Sequence, residues 1–516
     1  MGDLFFLKER SERIPMEKEK SSGLLLDVDE FPKSFGQALI LAIQHVLAMF
    51  VACITVPMIV FNGYTVTIDG VARNLASVMI APTLFSAGIG TLFYLFVTKR
   101  RSPMFLASSF AYMAAMSEAV AIDAQAGQIN LWILPVGMAL VGLVYCLVAL
   151  LIRFFGVGWL NKLLPPIVVG PVIMVIGLSL AGSAISNLTT GGAGTYNWCY
   201  ILSGLVAMVV TALCAHYGKK MALIPFVLGM AAGYVAALLF TLIGYYGCGN
   251  EYCHVINFDP LINLFYDQAN QTAHVTIQSF LDYPKFLFLL AAQSSNVVPL
   301  TGSAVAQACL IFIPVSLVTI CEHIGDHKNM SGILQRDLLE DPGLSRTLIG
   351  DGVATAISGI FCGAANTTYG ENVAVVGVTK IASVKVIMMA CGIAMLLGFL
   401  SPVMALTETI PSCVTGGVSL ILYGFIAASG VKMLINERID MGKTKNIFVA
   451  SVILVAGIGG LVFTFSFNDH VSMSITSIAV AMILGILMNL ILREKNAPKT
   501  IEPNPEQEVK NDSTVR

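Results

Sequence analysis

Glu322 and Asp326 are the ionisable residues whose spacing most directly suggests chemistry. They are four residues apart at the end of an apolar stretch, so both carboxylates lie on one face of a helix. Like charges at that spacing repel, and a proton held between them near neutral pH relieves the repulsion. The pair suits a proton-coupling site, but Lys328 follows closely, so the same residues could simply form the polar end of a span.

Glu371 is the second candidate, in the polar, turn-prone run 366–372, which reads NTTYGEN between two apolar segments. An acidic residue at the centre of a spanning helix costs about 2.5–3.5 kcal/mol and usually faces a cavity, a partner or a solute. Gly370 permits close approach of the backbone, and the following helix would direct its positive N-terminal end at a bound group. These features favour a ligand site over a solvated, inert position at the outer end of a span.

The composition is that of a polytopic membrane protein embedded in a lipid bilayer. Of 516 residues, 56% are hydrophobic and 12% are charged, and the mean hydropathy is +0.80, whereas soluble domains have about 25% charged residues. The net charge of −2, without a basic patch, suggests no nucleic-acid partner. The first 34 residues contain no apolar core of a signal peptide, which predicts a retained N-terminus.

Fourteen apolar stretches are long enough to be membrane spans. They lie near residues 36–60, 74–97, 104–122, 131–154, 166–187, 198–215, 221–246, 304–325, 347–362, 369–384, 386–405, 415–435, 447–465 and 472–492. Lysine and arginine concentrate in one parity of the loops, for example at 99–101, 219–220, 443–445 and 493–495. This asymmetry predicts that both termini are cytoplasmic.

Two local sequence similarities between the halves of the chain predict a pair of seven-span repeats. Gln44-His45 in span 1 corresponds to Glu322-His323 in span 8, and residues 108–111 in span 3 correspond to 367–370 in span 10. In both members of the second pair, short polar residues and β-formers interrupt the helix. Transporters built from inverted repeats bind their substrate where such broken helices leave backbone groups unpaired.

The connection at 247–303 is the longest predicted external segment and contains Cys248, Cys253 and His254. Three interpretations of these residues remain open: they are ordinary loop residues, the two cysteines form a disulfide, or all three bind zinc. No fourth zinc ligand is evident. We predict no metal and no cofactor. We also predict no enzymatic activity, because no nucleophile with a base and no metal cluster stands out.

The run 366–372 resembles the signature of the nucleobase/ascorbate transporter family, in its bacterial uracil permease branch. The other motifs that carry the resemblance are Gln44-His45, Glu322-His323-x-Gly325, the loop 337–344, Ile410-Pro411 and the segment 416–420. The similarity extends over about residues 36–492 but not over the external connection or the tails.

The resemblance implies an all-α fold of fourteen spans in two inverted seven-span repeats, with short antiparallel strands inside spans 3 and 10. It implies a core domain (35–155 and 304–405) and a gate domain (156–246 and 406–493). The charge and composition of the two ends predict a cytoplasmic tail at 1–34 and a cytoplasmic, disordered tail at 494–516. It also implies a homodimer formed through the gate domain.

The resemblance further implies that substrate lies between these domains. Glu322 and Glu371 would bind it by side chain, Gly370 by its backbone, and Phe110 by its backbone in the span 3 strand. Tyr369 is either an aromatic wall of this site or a packing residue.

The predicted function is import of uracil with protons, rather than Na⁺, across the bacterial cytoplasmic membrane. Glu322, Asp326 and His45 are the predicted coupling residues, with His45 also a hydrogen-bond partner inside the core. Asp326 departs from the best-known uracil permease pattern, in which a histidine occupies the corresponding position. The alternatives are a permease for xanthine, urate or another purine and, in a different class, an anion transporter or channel of the same fold.

Overall fold

The computed structural model describes residues 23–61, 63–68, 71–122, 124, 127–191, 195–218, 221–267, 272–468 and 471–492. Most of the predicted N-terminal tail, the whole predicted C-terminal tail, and the basic residues Lys219, Lys220, Arg493 and Lys495 lie outside the described residues.

The described chain is mostly helical. Its α-helices, in chain order, are α1 Phe35–Val60, α2 Leu75–Val97, α3 Met113–Ala121, α4 Ile133–Phe155, α5 Gly158–Leu163, α6 Pro166–Ser179, α7 Ala181–Thr190, α8 Trp198–Tyr217, α9 Pro225–Leu242, α10 Asp259–Ile262, α11 Leu287–Gln293, α12 Gly302–Leu334, α13 Leu344–Ile360, α14 Gly370–Thr379, α15 Val384–Leu397, α16 Ser401–Glu408, α17 Ser412–Asn436, α18 Thr444–Ile458 and α19 Ser477–Ile491. Its strands are β1 Thr65–Ile68, β2 Val71–Asn74, β3 Leu106–Ser108, β4 Tyr266–Asp267, β5 Thr272–Ala273, β6 Asn366–Thr368, β7 Phe463–Asn468 and β8 Val471–Ile475.

Among the described residues, eight helices are long and apolar enough to cross a membrane. They are α1, α2, α4, α6 with α7, α8, α9 with its π-helical extension, α12 and α17. The helices α15, α18 and α19 are apolar but shorter. The chain is therefore a multi-pass membrane protein, whereas the count of fourteen spans stays a prediction.

Polar side chains fix where several helices begin. The Ser34 hydroxyl accepts a hydrogen bond from the Gln37 backbone at 3.2 Å before α1. The Thr301 hydroxyl does the same for Ala304 before α12, at 3.1 Å. Such caps satisfy N–H groups that the helix itself leaves unpaired, which is costly to omit in an apolar medium.

The helices pack in two groups. The first helix group is α1–α4 with α12–α15, in which α13 lies against α4 and α2, and α15 lies against α2 and α1. The second helix group is α6–α9 with α17–α19, in which α17 lies against α6, α7 and α8. The groups meet along α1 with α9 and along α12 with α6 and α19.

Glycines allow the backbones inside each group to touch. A Cβ atom on Gly142 of α4 would be 2.8 Å from the Gly352 carbonyl oxygen of α13. In the second group, a Cβ on Gly417 of α17 would be 2.0 Å from the Gly204 carbonyl oxygen of α8. Small residues at such crossings are the usual means of close helix packing in membranes.

Three antiparallel hairpins, β1–β2, β4–β5 and β7–β8, lie outside the helices. These hairpins differ from the sequence-based prediction, which has strands only inside spans 3 and 10 and extends span 13 to residue 465. That boundary was wrong, because α18 ends at Ile458 and β7 follows. The segment 463–468 reads FTFSFN, and this alternation of aromatic and polar residues favours a strand, which a count of apolar residues overlooks.

Candidate functional site

Two short strands lie at the centre of the first helix group. β3 pairs with β6 in antiparallel register, with Leu106 opposite Thr368 and Ser108 opposite Asn366. The pairing continues beyond the strands, since the Tyr369 amide donates to the Phe105 carbonyl at 3.0 Å. Short helices follow both strands, and α3 begins at Met113 and α14 at Gly370.

Neighbouring helices complete the hydrogen bonding of these strands. The Thr91 hydroxyl on α2 lies 2.9 Å from the Leu106 amide and 3.1 Å from its carbonyl oxygen. The Asn366 side-chain amide donates to the Ser86 carbonyl at 3.0 Å. Extended backbone is tolerated at membrane depth only when protein groups or a water-filled cavity satisfy it. The polar residues in β6 therefore have a structural role.

Asp326 on α12 is attached directly to β6. Its Oδ2 accepts a hydrogen bond from the Thr368 hydroxyl at 2.9 Å. Its Oδ1 lies 3.5 Å from the position that a Cβ of Gly370 would occupy. Asp326 therefore faces the junction at which β6 ends and α14 begins.

Glu322 and Glu371 lie at the same junction. Glu322 is one helical turn before Asp326 on α12 and is half-buried, as is Glu371 in the first turn of α14. The Glu322 carboxylate interacts electrostatically with Glu371, and Asp326 interacts with both. Three carboxylates thus share one region beside the positive end of α14.

Gly370 leaves this region open. It is exposed, although its neighbours in β6 and Tyr369 are buried. Carboxylates in such a place can accept hydrogen bonds from the ring N–H groups of a ligand. The exposed backbone N–H groups at the helix N-terminus can donate hydrogen bonds to its carbonyl oxygens.

Phe110 and Tyr369 flank the two strands. The prediction placed Phe110 within the span 3 strand, but β3 ends at Ser108 and Phe110 lies two residues beyond it. The Phe110 carbonyl accepts a hydrogen bond from the Met113 amide at 3.2 Å, so the chain is already turning into α3 there. Tyr369 is buried within the apolar core, which favours a packing role.

His45 lies on α1 and reaches the same helix as Glu371. It is buried, and the Asn372 side-chain amide is 3.1 Å from its Nδ1 and 3.2 Å from its carbonyl oxygen. An amide N–H donates to Nδ1, so that nitrogen carries no proton in this arrangement. His45 thus holds α14 against α1 through Asn372.

Comparison with known proteins decides the family. The model of the Permease family (Xan_ur_permease) matches residues 36–466. A protein named uracil permease from Bacillus caldolyticus is 37% identical over 488 residues, which is 94% of this chain and 99% of that protein. The chain belongs to the nucleobase/ascorbate transporter family.

Another relative within this family is the protein named uracil permease from Escherichia coli (strain K12). It is 32% identical over 467 residues, which is 89% of this chain and 91% of that protein. These relatives are permeases and not enzymes, so this family member is a membrane transporter.

Two solved structures share the fold of this family member. The transmembrane domain of the cyanobacterium bicarbonate transporter BicA has a TM-score of 0.54 at 13% identity and covers 89% of this chain and 99% of its own. The murine anion transporter Slc26a9 in the inward-facing state has a TM-score of 0.57 at 10% identity. The match covers 94% of this chain and 76% of that chain. At this identity the likeness concerns the fold alone.

A second polar cluster of this nucleobase/ascorbate transporter, which joins α12 to α13 and α2, is not predicted from the sequence. His323 Nδ1 lies 2.7 Å from Asp351 Oδ2 of α13, and both side chains are fully buried. His327 Nδ1 lies 2.8 Å from the His323 carbonyl oxygen, and its Nε2 lies 2.7 Å from the Tyr94 hydroxyl. Because a carbonyl oxygen only accepts, His327 Nδ1 carries a proton and donates it, and the contact with Tyr94 joins α12 to α2.

Asp351 could have been found from the sequence. It is an acidic residue inside the predicted span 347–362, and such residues are rare and usually paired. The role of Thr368 could not have been found from the sequence, because nothing in the neighbouring residues identifies Asp326 as its partner. His323, which is part of the motif that carries the family resemblance, pairs with Asp351 inside the first helix group.

Proposed function

We propose that this transporter imports uracil together with protons. The observation that carries the proposal is the meeting of Glu322, Glu371 and Asp326 beside exposed backbone at Gly370. The names of the relatives, uracil permeases at 32–37% identity over most of the chain, support uracil as the substrate.

The chemistry of uracil fits this set of groups. The base has two ring N–H donors and two carbonyl acceptors around a flat edge, so its site needs acceptors for the first and donors for the second. Glu322 and Glu371 supply the acceptors, and the backbone at Gly370 and Phe110 supplies donors. Hydrogen bonds to charged groups contribute about 1.5–3 kcal/mol each, and an analogue that leaves them unpaired is rejected.

Proton coupling follows from the crowding of acidic groups. Three half-buried carboxylates in one region repel, so at least one binds a proton, and bound uracil changes which one. Glu322 is central, because it interacts with Glu371 and shares its helix with Asp326. His45 contributes indirectly, by fixing α14 through Asn372.

The proposed architecture has fourteen spans in two inverted seven-span repeats, with both termini in the cytoplasm of a bacterial cell. The first helix group is the proposed core domain and the second is the gate domain. Their relative motion, by elevator-like displacement or rocking, would expose the site to each side in turn. The gate domain would also form a homodimer.

Uptake of labelled uracil into proteoliposomes, with and without an inward proton gradient, tests the proposal. Uptake should depend on the gradient, and Glu322→Gln and Glu371→Gln should each abolish most of it. Glu118→Gln is the matched control, because Glu118 lies in α3 but is exposed. Uptake that ignores the gradient refutes proton coupling, and normal uptake by either glutamine variant removes that glutamate from the site.

Competition distinguishes the substrates. Unlabelled uracil should displace the label, whereas xanthine and urate should not. If a purine displaces the label more strongly than uracil does, the proposed substrate is a purine and not uracil. An anion transporter of this fold is disfavoured, because the carboxylates would repel an anion.

A further inference from the structure

Two thiols from separate parts of the chain meet at one end of the second helix group. Cys199 is buried in the first turn of α8, and Cys253 ends the short 3-10 turn Glu251–Cys253 in the long connection. Their Sγ atoms are 3.8 Å apart. A disulfide bond is about 2.05 Å long, so a displacement of less than 2 Å would allow the bond to form.

Hydrogen bonds next to both cysteines hold the thiols together. The Asn197 side-chain amide donates to the Tyr252 carbonyl at 2.8 Å, and its Oδ1 accepts from the Cys199 amide at 2.8 Å. The Trp198 amide donates to the Tyr252 hydroxyl at 2.7 Å. The residues immediately before each cysteine are therefore joined, and the proximity of the thiols is built into the local fold.

The connection that carries Cys253 is attached to both helix groups. Just after Cys253, the amides of Val255 and Ile256 donate to the Thr241 hydroxyl of α9 at 3.1 and 3.0 Å. Farther along, the Asp282 amide donates to the Phe399 carbonyl at 3.1 Å and the Val298 amide to the Ile129 carbonyl at 2.9 Å, both beside the first group. Relative motion of the two groups must therefore be taken up within this connection.

We propose that Cys199 and Cys253 are a redox-modification site, at which a disulfide ties the connection to α8 and slows transport. The effect on transport rests on the proposed function, in which the two helix groups move and this end of α8 faces the outside. The hydrogen bonds to Asn197 and Thr241 hold the segment before Val255 to the second group reversibly. The disulfide makes that attachment permanent, so this segment can no longer detach and lengthen the part of the connection that adjusts.

The bond forms by thiol–disulfide exchange with a small disulfide in the external medium. The thiolate of Cys253, the more exposed of the two, attacks one sulfur of that disulfide and releases the first small thiol. The Cys199 thiolate then attacks the Cys253 sulfur and releases the second. Two protein thiols are oxidised, one small disulfide is reduced to two thiols, and the two protons leave on the released thiols.

A metal site is the competing use of such a pair. In the part of the chain that the structure describes, no three His, Cys, Asp or Glu side chains are arranged to hold a metal ion. The Cys248 side chain lies outside the described residues, so a disulfide between Cys248 and Cys253, one of the alternatives that the sequence leaves open, stays untested. The experiment therefore follows all three cysteines.

The test treats purified full-length protein with oxidised glutathione, digests it without reduction and identifies linked peptides by mass spectrometry. A peptide joining Cys199 to Cys253, absent after reduction and absent in Cys253→Ser, is expected. Cys146→Ser is the matched control, because Cys146 is a partly buried cysteine on α4, in the other helix group, and its loss should leave the link intact. Linkage of Cys253 to Cys248, no linkage, or protection of both thiols by Zn²⁺ alone would overturn the proposal.

Uptake by the same samples tests the consequence separately. Oxidised wild-type protein should transport more slowly and recover fully after reduction, whereas Cys199→Ser and Cys253→Ser should not respond to the oxidant. Unchanged uptake in fully linked protein overturns the effect on transport. Because the linked peptide is detected without any transport, failure of the uracil assignment leaves the disulfide test intact.

Discussion

The hydrogen bond from Thr368 to Asp326 offers the sharpest test of the site. Thr368→Val replaces the hydroxyl by a methyl group of similar size and keeps a residue that favours β6. The bond is 2.9 Å long and Thr368 is buried, so water cannot easily replace the lost donor. A hydrogen bond to a charged acceptor contributes about 1.5–3 kcal/mol, which corresponds to an approximately ten- to hundredfold loss in the transport equivalent of kcat/KM.

Two variants in the same strand make this measurement specific. Thr368→Ser keeps the hydroxyl and should retain most of the uptake. Thr367→Val makes the same chemical change at the next residue, which is equally buried but points to the opposite face of β6. The assay is the initial rate of uracil uptake at several concentrations, with thermal unfolding in detergent as the check on folding. Wild-type uptake by Thr368→Val, or an equal loss in Thr367→Val, would refute the role of this hydrogen bond.

Two further predictions concern the backbone opening and the second polar cluster. Gly370→Ala should fold but lose most uracil binding, measured by ligand-induced thermal stabilisation, because its methyl group meets no protein atom closer than 3.5 Å and enters the open region instead. Gly424→Ala, at another helical glycine with nothing within 4 Å, should bind normally, and equal loss in both would point to helix propensity as the cause. Tyr94→Phe removes a hydroxyl that lies 2.7 Å from His327 and 2.8 Å from Ser102, and it should lower the free energy of unfolding by about 1–3 kcal/mol. An unchanged denaturation midpoint for Tyr94→Phe would contradict that structural role.

Much of the membrane architecture is predictable from the sequence because the bilayer imposes it. Any segment that spans lipid must be apolar and must satisfy its own backbone, so α1, α2 and α4 appear directly as long apolar runs. The same constraint makes Glu322 and Glu371 conspicuous, since a carboxylate in such a segment requires a reason. The residue types therefore predict both candidates before any geometry is known.

The partners of those residues are harder to predict because they come from distant parts of the chain. Thr368 bonds to Asp326 across 42 residues, and Asn372 bonds to His45 across 327. Hydropathy along the sequence contains no information about which faces meet. The end of β3 was misplaced for a related reason, since Phe110 is as good a β-former as its neighbours and only the turn into α3 ends the strand.

The pairing of β3 with β6 also has a consequence for how the protein is made. Ala107 is opposite Thr367, which is synthesised 260 residues later. At about 5–20 residues per second, the polar backbone of β3 waits on the order of tens of seconds for its partner. During that interval its open edge must be shielded by water, by a chaperone or by the translocation machinery, so insertion of the first half alone yields an incomplete protein. The proposed binding site is therefore among the last parts of the chain to form.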